Sequence, residues 1–158
     1  MTRSGDEPVN PVARWVVWAS FALSLIGVGI SGYLTFTHYA GTQFLACSDA
    51  GVVNCGAVTT SAQSVVAGVP VAVLGLVAYL GLAVLNSPWG WARASRWVAW
   101  TRVLGVGVAM AFVLWLVAAE LLIIDHICLW CTGVHVTTFA LSVIISWAAP
   151  GQLARKTS

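Results

Sequence analysis

Residues 97–124 read WVAWTRVLGVGVAMAFVLWLVAAELLII, an almost unbroken apolar stretch that contains only two charged side chains, Arg102 and Glu120. The hydrocarbon core of a bilayer is about 30 Å thick, and a helix needs roughly 20 apolar residues to cross it. This stretch therefore predicts a transmembrane helix and sets the class of the fold.

Three further apolar stretches flank it, at 13–37, 71–85 and 127–149. Asp125-His126 interrupts the apolar sequence between the third and fourth stretches, and Pro150-Gly151 is expected to end the fourth. The chain is 59% hydrophobic and only 8% charged, whereas soluble domains are about a quarter charged. We predict an all-α membrane protein, a four-transmembrane-helix bundle.

The distribution of basic residues predicts the orientation of this bundle. Every lysine and arginine falls in a terminus, in the region joining the second and third spans, or among the first residues of the first or third span: Arg3, Arg14, Arg93, Arg96, Arg102, Arg155 and Lys156. Cytoplasmic segments are enriched in these residues, so both termini are expected in the cytoplasm, with the protein in the plasma membrane. No basic run with interleaved aromatic residues indicates nucleic-acid binding.

The predicted organisation follows from these boundaries. Residues 1–12 and 150–158 are expected to be cytoplasmic tails, and 13–149 to form the bundle. The polar outer loop, 40–68, lies on the extracytoplasmic side, and its second half, 57–67, alternates apolar and polar residues in a way that predicts a short extracytoplasmic interfacial helix.

Four cysteines carry the chemistry that the sequence indicates. Cys128 and Cys131 form a CxxC pair at the expected start of the fourth helix, where unpaired backbone amides favour a thiolate. Cys47 and Cys55 lie in the outer loop on the same side of the membrane, among glycines that suit a mobile disulfide. Two thiol pairs on one side predict a dithiol relay.

Other readings of these residues stay open at this point. Structural zinc sites usually pair cysteines two to four residues apart, which Cys47 and Cys55 are not. A c-type haem site needs histidine directly after the CxxC pair, where this chain has Thr132. A haem-binding electron carrier could use the three histidines as axial ligands, and a non-catalytic subunit could use its cysteines to brace the loop. The histidines are His38, His126 and His135.

Polar residues near the CxxC pair are the candidate binding groups. His135 lies one turn beyond Cys131 in an apolar helix, where an imidazole is costly unless it meets a partner or a ligand such as the carbonyl of a quinone. Glu120 is similarly unusual, and either helix packing or a proton path explains it. Asp125 is a candidate cap of the fourth helix, and Ser61 is by default an ordinary interfacial hydroxyl.

The chain resembles the vitamin K epoxide reductase family in its bacterial, quinone-dependent branch. The resemblance covers nearly the whole chain: an outer loop with paired cysteines, a serine six residues after the second of them, a short surface helix, a Gly-x-Pro entry to the second span, Gly75 with Tyr79, and CxxC at the opening of the fourth span.

This resemblance implies a thiol:quinone oxidoreductase. Cys47 and Cys55 would take electrons from a secreted thioredoxin-like oxidase, Cys55 would form a passing mixed disulfide with Cys128, and Cys131 would pass the electrons to a membrane quinone. By the same resemblance Ser61, Tyr79 and His135 lie on the quinone side.

Two departures from vertebrate members, His135 in place of tyrosine and Val71 in place of asparagine, argue against an epoxide substrate. Because the sequence stops at Ser158 without a thioredoxin-like domain, the partner is expected to be a separate protein. A composition rich in alanine, valine and glycine suggests a GC-rich genome, and hence menaquinone.

Overall fold

The structure is a computed structural model that describes residues 12–47, 51–93 and 95–153. Of the predicted tails, 1–12 and 150–158, the residues 1–11 and 154–158 lie outside the described residues. Nearly all of the described chain is helical, and the one sheet consists of two residues in each strand. The prediction of an all-α membrane bundle is confirmed.

Within the described residues, three helices are long and apolar enough to cross a membrane: α1 (Arg14–Ala40), α5 (Arg96–Ala119, continued by a π-helical turn at Glu120–Ile124) and α6 (Leu129–Leu153). The remaining predicted span is α3 (Val71–Asn86), an apolar helix of 16 residues. At 1.5 Å per residue it is about 24 Å long, somewhat shorter than a hydrocarbon core.

Short elements connect these helices. A 3-10 turn (Thr42–Phe44) follows α1, and the outer loop continues into α2 (Cys55–Thr59) and a second 3-10 turn (Ala62–Ser64). A small antiparallel hairpin, β1 (Val65–Val66) and β2 (Val69–Pro70), then leads into α3. At the other end of the bundle, α4 (Pro88–Ala92) joins α3 to α5.

Two sequence predictions of local structure are wrong. The segment 57–67 is not one interfacial helix, because α2 stops at Thr59 and the chain turns into the hairpin through Ala67 and Gly68, both with positive φ. Pro150-Gly151 does not end the last helix, which continues to Leu153. There the side chain of Gln152 is buried and accepts a hydrogen bond from Arg102, so a tertiary contact holds the last turn in place.

Helix α1 packs against both α3 and α6, and α5 packs against α6. The contact between α1 and α3 is close, because a Cβ at Gly27 would overlap the ring of Tyr79. Small residues permit this approach in membranes, where helices gain little hydrophobic energy from each other. The core at this level consists of Tyr79, Leu82, Val106, Leu141 and Ile145.

The surface and the interior have the polarity expected in lipid. Many large apolar side chains are exposed, such as Leu122 and Trp97 at 82%. Several hydroxyl side chains are buried between helices, among them Ser20, Ser24, Ser31, Thr37 and Thr138. Buried hydroxyls bonded to backbone carbonyls are tolerated in a membrane bundle because no water competes for them.

Candidate functional site

Cys128 is the residue that caps helix α6. Its backbone carbonyl accepts the first helical hydrogen bond, from the amide of Thr132 at 2.9 Å, and its Sγ accepts one from the amide of Cys131 at 3.4 Å. The cap is therefore a sulfur atom. The suggestion that Asp125 caps this helix is wrong, because Asp125 instead ends the preceding π-helical turn in the left-handed conformation.

The same environment favours the thiolate form of Cys128. A hydrogen bond from the thiol of Cys131 lowers the pKa of Cys128, and the amides of Cys131 and Trp130 act in the same direction. Burial and the nearby charge of Glu120 oppose this shift without reversing it. A thiolate is both the nucleophile and the better leaving group in disulfide exchange.

The outer-loop cysteines form a disulfide, Cys47–Cys55, with Cα atoms 6.1 Å apart. Cys55 is the first residue of α2 and is fully buried, as is Cys128. The two belong to one buried cluster with Val58, and Cys47 and Cys131 pack against its edge. All four cysteines thus meet at one end of the bundle, and Cys128 and Cys131 are free thiols.

Backbone pairing fixes the C-terminal side of this loop to the segment before Cys128. The amide of Asn54 donates to the carbonyl of Ile127 at 3.1 Å, and the amide of Ile127 donates to the carbonyl of Val52 at 2.8 Å. Asn54 then caps α2, since its side chain accepts a hydrogen bond from the amide of Ala57. These bonds seat Cys55 beside Cys128.

Two aromatic residues fix the N-terminal side of the loop. Trp130, inside the CxxC pair, donates from Nε1 to the carbonyl of Ala46 at 2.9 Å. The hydroxyl of Tyr33 donates to the carbonyl of Phe44 and accepts from the amide of Ala46. The rings of Tyr33 and Trp130 pack together with centroids 4.6 Å apart. The loop is therefore anchored immediately before Cys47.

A cavity of about 320 Å³ lies next to the sulfur cluster. Half of its lining residues belong to α3 and α5, among them Leu74, Ala78, Ala109, Phe112 and Leu116. A ring-shaped ligand of moderate size would meet a mainly apolar surface here, with a few polar groups to fix its orientation.

All of the predicted quinone-side residues line this cavity. Cys131, Ser61, Tyr79 and His135 contribute to its wall, whereas Cys47, Cys55 and Cys128 do not. Within the CxxC pair, Cys131 is thus the residue that reaches the cavity, and Cys128 is the one that contacts the outer-loop pair.

His135 contributes an unused polar atom to this wall. The imidazole is buried, and its Nε2 has no hydrogen-bond partner in the structure. A buried polar atom without a partner costs about 1–3 kcal/mol, so its position against a cavity points to a ligand that completes the bond.

The hydroxyls of Ser61 and Tyr79 are already bonded within the protein. Ser61 Oγ donates to the carbonyl of Val58 at 2.8 Å and so helps to end α2. Tyr79 Oη lies 2.8 Å from Thr138 Oγ1 and 3.1 Å from the carbonyl of Val134. Both residues line the cavity, and the hydroxyl of Tyr79 joins α3 to α6.

The structure also shows where His38, His126 and Val71 lie relative to the cavity. His38 and Val71 line the cavity, whereas His126 binds the carbonyl of Ile124 through Nδ1 at 2.9 Å. Tyr33, Asn54 and the indole of Trp130 were missed as positioning residues. Asn54 is a common type of helix cap and could have been found from its position before α2. The contacts of Tyr33 and Trp130 join segments up to 84 positions apart, and no local pattern in the sequence indicates such pairs.

Comparison with known protein families gives a match that covers most of the chain. A model of the vitamin K epoxide reductase family matches residues 18–146. The matched region begins within α1 and extends into α6, so it includes the sulfur cluster, the anchored loop and the cavity.

Proposed function

Since this chain belongs to the vitamin K epoxide reductase family and is thus a membrane thiol–disulfide oxidoreductase, we propose that it oxidises a secreted thioredoxin-like protein and reduces a membrane quinone. The observation that carries this proposal is the continuous path of sulfur atoms, which runs from the outer loop through Cys55 and Cys128 to Cys131 at the cavity wall.

The first half of the proposed relay oxidises the partner. A thiolate of the reduced partner attacks Cys47 of the Cys47–Cys55 disulfide, because Cys47 is the less buried of the two. The partner's second thiol then releases Cys47, which leaves the partner with a disulfide and the loop with two thiols.

The second half moves the electrons inward. Cys55 attacks Cys128 of a Cys128–Cys131 disulfide and expels Cys131, and Cys47 then resolves the mixed disulfide so that Cys128 leaves as a thiolate. The structure, with a loop disulfide and a free CxxC pair, corresponds to the product of this transfer. Oxidation of Cys128 and Cys131 back to a disulfide supplies two electrons to the quinone.

The cavity fits a quinone ring on three counts. Its wall is mainly apolar, Cys131 opens onto it, and the unpartnered Nε2 of His135 is a hydrogen-bond donor for a ring carbonyl in the tautomer that carries its proton there. We propose menaquinone as the quinone, on the composition of the sequence.

For sidedness, we propose that the sulfur cluster faces away from the cytoplasm. The described arginines, Arg14, Arg93, Arg96 and Arg102, all belong to the end of the bundle opposite the cysteines, and the outer loop contains no lysine or arginine. The positive-inside bias then places the disulfides in a compartment where they persist.

Anaerobic mixing of the detergent-solubilised protein with a reduced dithiol and a short-chain quinone tests the proposal. The quinone absorbance is followed with dithiothreitol and, separately, with a reduced thioredoxin-like protein. Wild type should reduce the quinone with both donors, whereas Cys128→Ser and Cys131→Ser should fall to the uncatalysed background.

The loop variants discriminate the order of the relay. Cys47→Ser and Cys55→Ser should retain turnover with dithiothreitol, which is small enough to reach the CxxC pair, and lose it with the protein donor. Full activity of these variants with the protein donor would show that the loop pair is not a shuttle, and quinone reduction by Cys131→Ser would refute the whole scheme.

A further inference from the structure

Glu120 is a buried carboxyl group that the relay described above does not use. Its side chain is 6% exposed and lies in the π-helical turn that ends α5. No arginine, lysine or histidine forms an ion pair with it within residues 12–47, 51–93 and 95–153. An unpaired carboxyl inside a membrane bundle is costly, and such groups commonly belong to ion or proton pathways.

The contacts of Glu120 place it between the reactive sulfur atoms and the cavity. Its carboxyl group interacts with the backbone amide of Cys128 and with the thiol of Cys131. It also lines the cavity together with Cys131 and His135. One carboxyl therefore touches the sulfur that donates electrons and faces the space where the acceptor is proposed to bind.

The π-helical turn explains how this position is reached. A wider turn shifts the side chains that follow relative to an α-helix, and π-helical segments are frequent at functional sites. The backbone carbonyl of Glu120 accepts a hydrogen bond from the amide of His126 at 3.2 Å, which closes the turn against the segment that leads to Cys128. The carboxyl is thus held in a fixed relation to the CxxC pair.

We propose that Glu120 is the proton-transfer residue of the quinone-reducing step: it accepts the proton of the Cys131 thiol and delivers it to a quinone oxygen. This inference rests on the proposed function, which leaves the route of the protons open.

The proposed step transfers two electrons and two protons to the quinone. Cys128 enters as a thiolate and Cys131 as a thiol, and one S–S bond forms as two electrons pass to the quinone. The proton of Cys131 moves to Glu120 and from there to one quinone oxygen, so that Glu120 returns to its starting state. The second quinone oxygen takes a proton from the aqueous phase, and the products are a disulfide and a hydroquinone.

Glu120→Gln is the most direct test. Glutamine keeps the size of the side chain and still accepts a hydrogen bond from the amide of Cys128, but it cannot take up a proton. Loss of general acid–base catalysis typically costs 10²–10⁴-fold, so we expect quinone reduction to slow by about 100-fold. Glu120→Asp, which retains a carboxyl, should recover part of the rate. A purely structural role predicts near-wild-type turnover for Glu120→Gln.

Two measurements separate this inference from the proposed function. Reduction of the loop disulfide by dithiothreitol without quinone should proceed at the wild-type rate in Glu120→Gln. Asp125→Asn is the matched control, since Asp125 is an exposed carboxyl five residues away, and it should reduce quinone normally. If wild type reduces no quinone, the proposed function fails. If wild type does and Glu120→Gln equals it, only the role of Glu120 fails.

Infrared difference spectroscopy provides a test that does not depend on the variant folding. Mixing reduced wild type with a short-chain quinone should change the carbonyl stretching band of a carboxylic acid, and ¹³C-labelled glutamate should shift that band. The chain has only two glutamates, Glu7 and Glu120, so Glu7→Gln assigns the signal. Absence of a glutamate band during turnover, or loss of the band in Glu7→Gln, would overturn the proposal.

Discussion

The two ends of the bundle both bury polar groups, but they use them differently. At the cytoplasmic end, as proposed, Arg102 donates to Gln152 Oε1 at 2.7 Å and to the carbonyl of Leu85 at 2.6 Å, and its guanidinium stacks on Trp91 at 3.8 Å. At the sulfur end, Glu120 and His135 face a cavity. The first set of groups is bonded within the protein and lies away from the cavity, whereas the second set lines the cavity, where His135 Nε2 has no partner in the protein.

A second set of hydrogen bonds lies at the same end of the bundle as Arg102, which we call the arginine end. Trp91 donates from Nε1 to Ser20 Oγ at 3.1 Å, and Asn86 donates from Nδ2 to Ser24 Oγ at 3.0 Å. Two atoms here lack partners, Asn86 Oδ1 and Arg102 Nε, but both side chains are held through other atoms, and neither lines the cavity. Buried polarity alone therefore does not identify a functional site; an unused polar atom beside a cavity does.

Arg102→Ala should give the largest effect on stability that this comparison predicts. It leaves Gln152 Oε1 and the carbonyl of Leu85 without a donor, and each unsatisfied buried group costs about 1–3 kcal/mol. We expect a loss of about 3 kcal/mol in the free energy of unfolding, measured in detergent by the fluorescence of the tryptophans.

The activity of the Arg102→Ala molecules that remain folded should be unchanged. Arg96→Ala is the control, because Arg96 begins the same helix but is exposed, and surface substitutions usually change stability by less than about 0.5 kcal/mol. A large loss of quinone reduction per folded Arg102→Ala molecule would mean that the two ends are functionally coupled.

The sequence predicts the helices well because their signal is local. Apolar stretches of the length of a bilayer core locate α1, α5 and α6 to within a few residues, and the CxxC pair at a helix start follows from the break at Asp125-His126. That Cys131 and His135 lie close together is also predictable, since they are one turn apart on α6, whereas Glu120 comes from the π-helical turn that ends α5.

What the sequence does not predict depends on contacts between distant segments. Pro150 argues for a helix end, yet the buried bond between Arg102 and Gln152 extends α6 past it. The anchoring of the outer loop by Trp130 depends on a contact with Ala46, far away in the chain. Neither pair leaves a periodicity or motif that could be read in advance.

His135→Phe tests whether the unpartnered imidazole atom at the cysteine-bearing end of the bundle binds the quinone. Phenylalanine fills the same place in the cavity wall but offers no donor to a quinone carbonyl. Loss of one hydrogen bond of about 1.4 kcal/mol weakens binding about tenfold, so the KM for quinone should rise by about that factor. The thermal midpoint should stay the same or rise, because an unpartnered buried atom has been removed.

Steady-state kinetics with varied quinone, together with a melting curve in detergent, measures both effects. Thr137→Val is a suitable control: Thr137 is also buried in α6, but its hydroxyl bonds to the carbonyl of Gly133 within the helix, and it does not line the cavity. An unchanged KM in His135→Phe would mean that the imidazole does not contact the ligand.

Tyr79→Phe should produce the smallest effect. It tests whether the hydroxyl of Tyr79 serves only to hold helices together or also binds the quinone. Its hydroxyl is already bonded to Thr138 and to the carbonyl of Val134, as the polar groups at the arginine end are bonded. Phenylalanine should therefore lower the free energy of unfolding by about 1 kcal/mol and leave the KM for quinone within about twofold. If instead the KM rises as it does for His135→Phe while stability is unchanged, the hydroxyl exchanges its bond with Thr138 for one to the ligand, and Tyr79 binds the quinone directly.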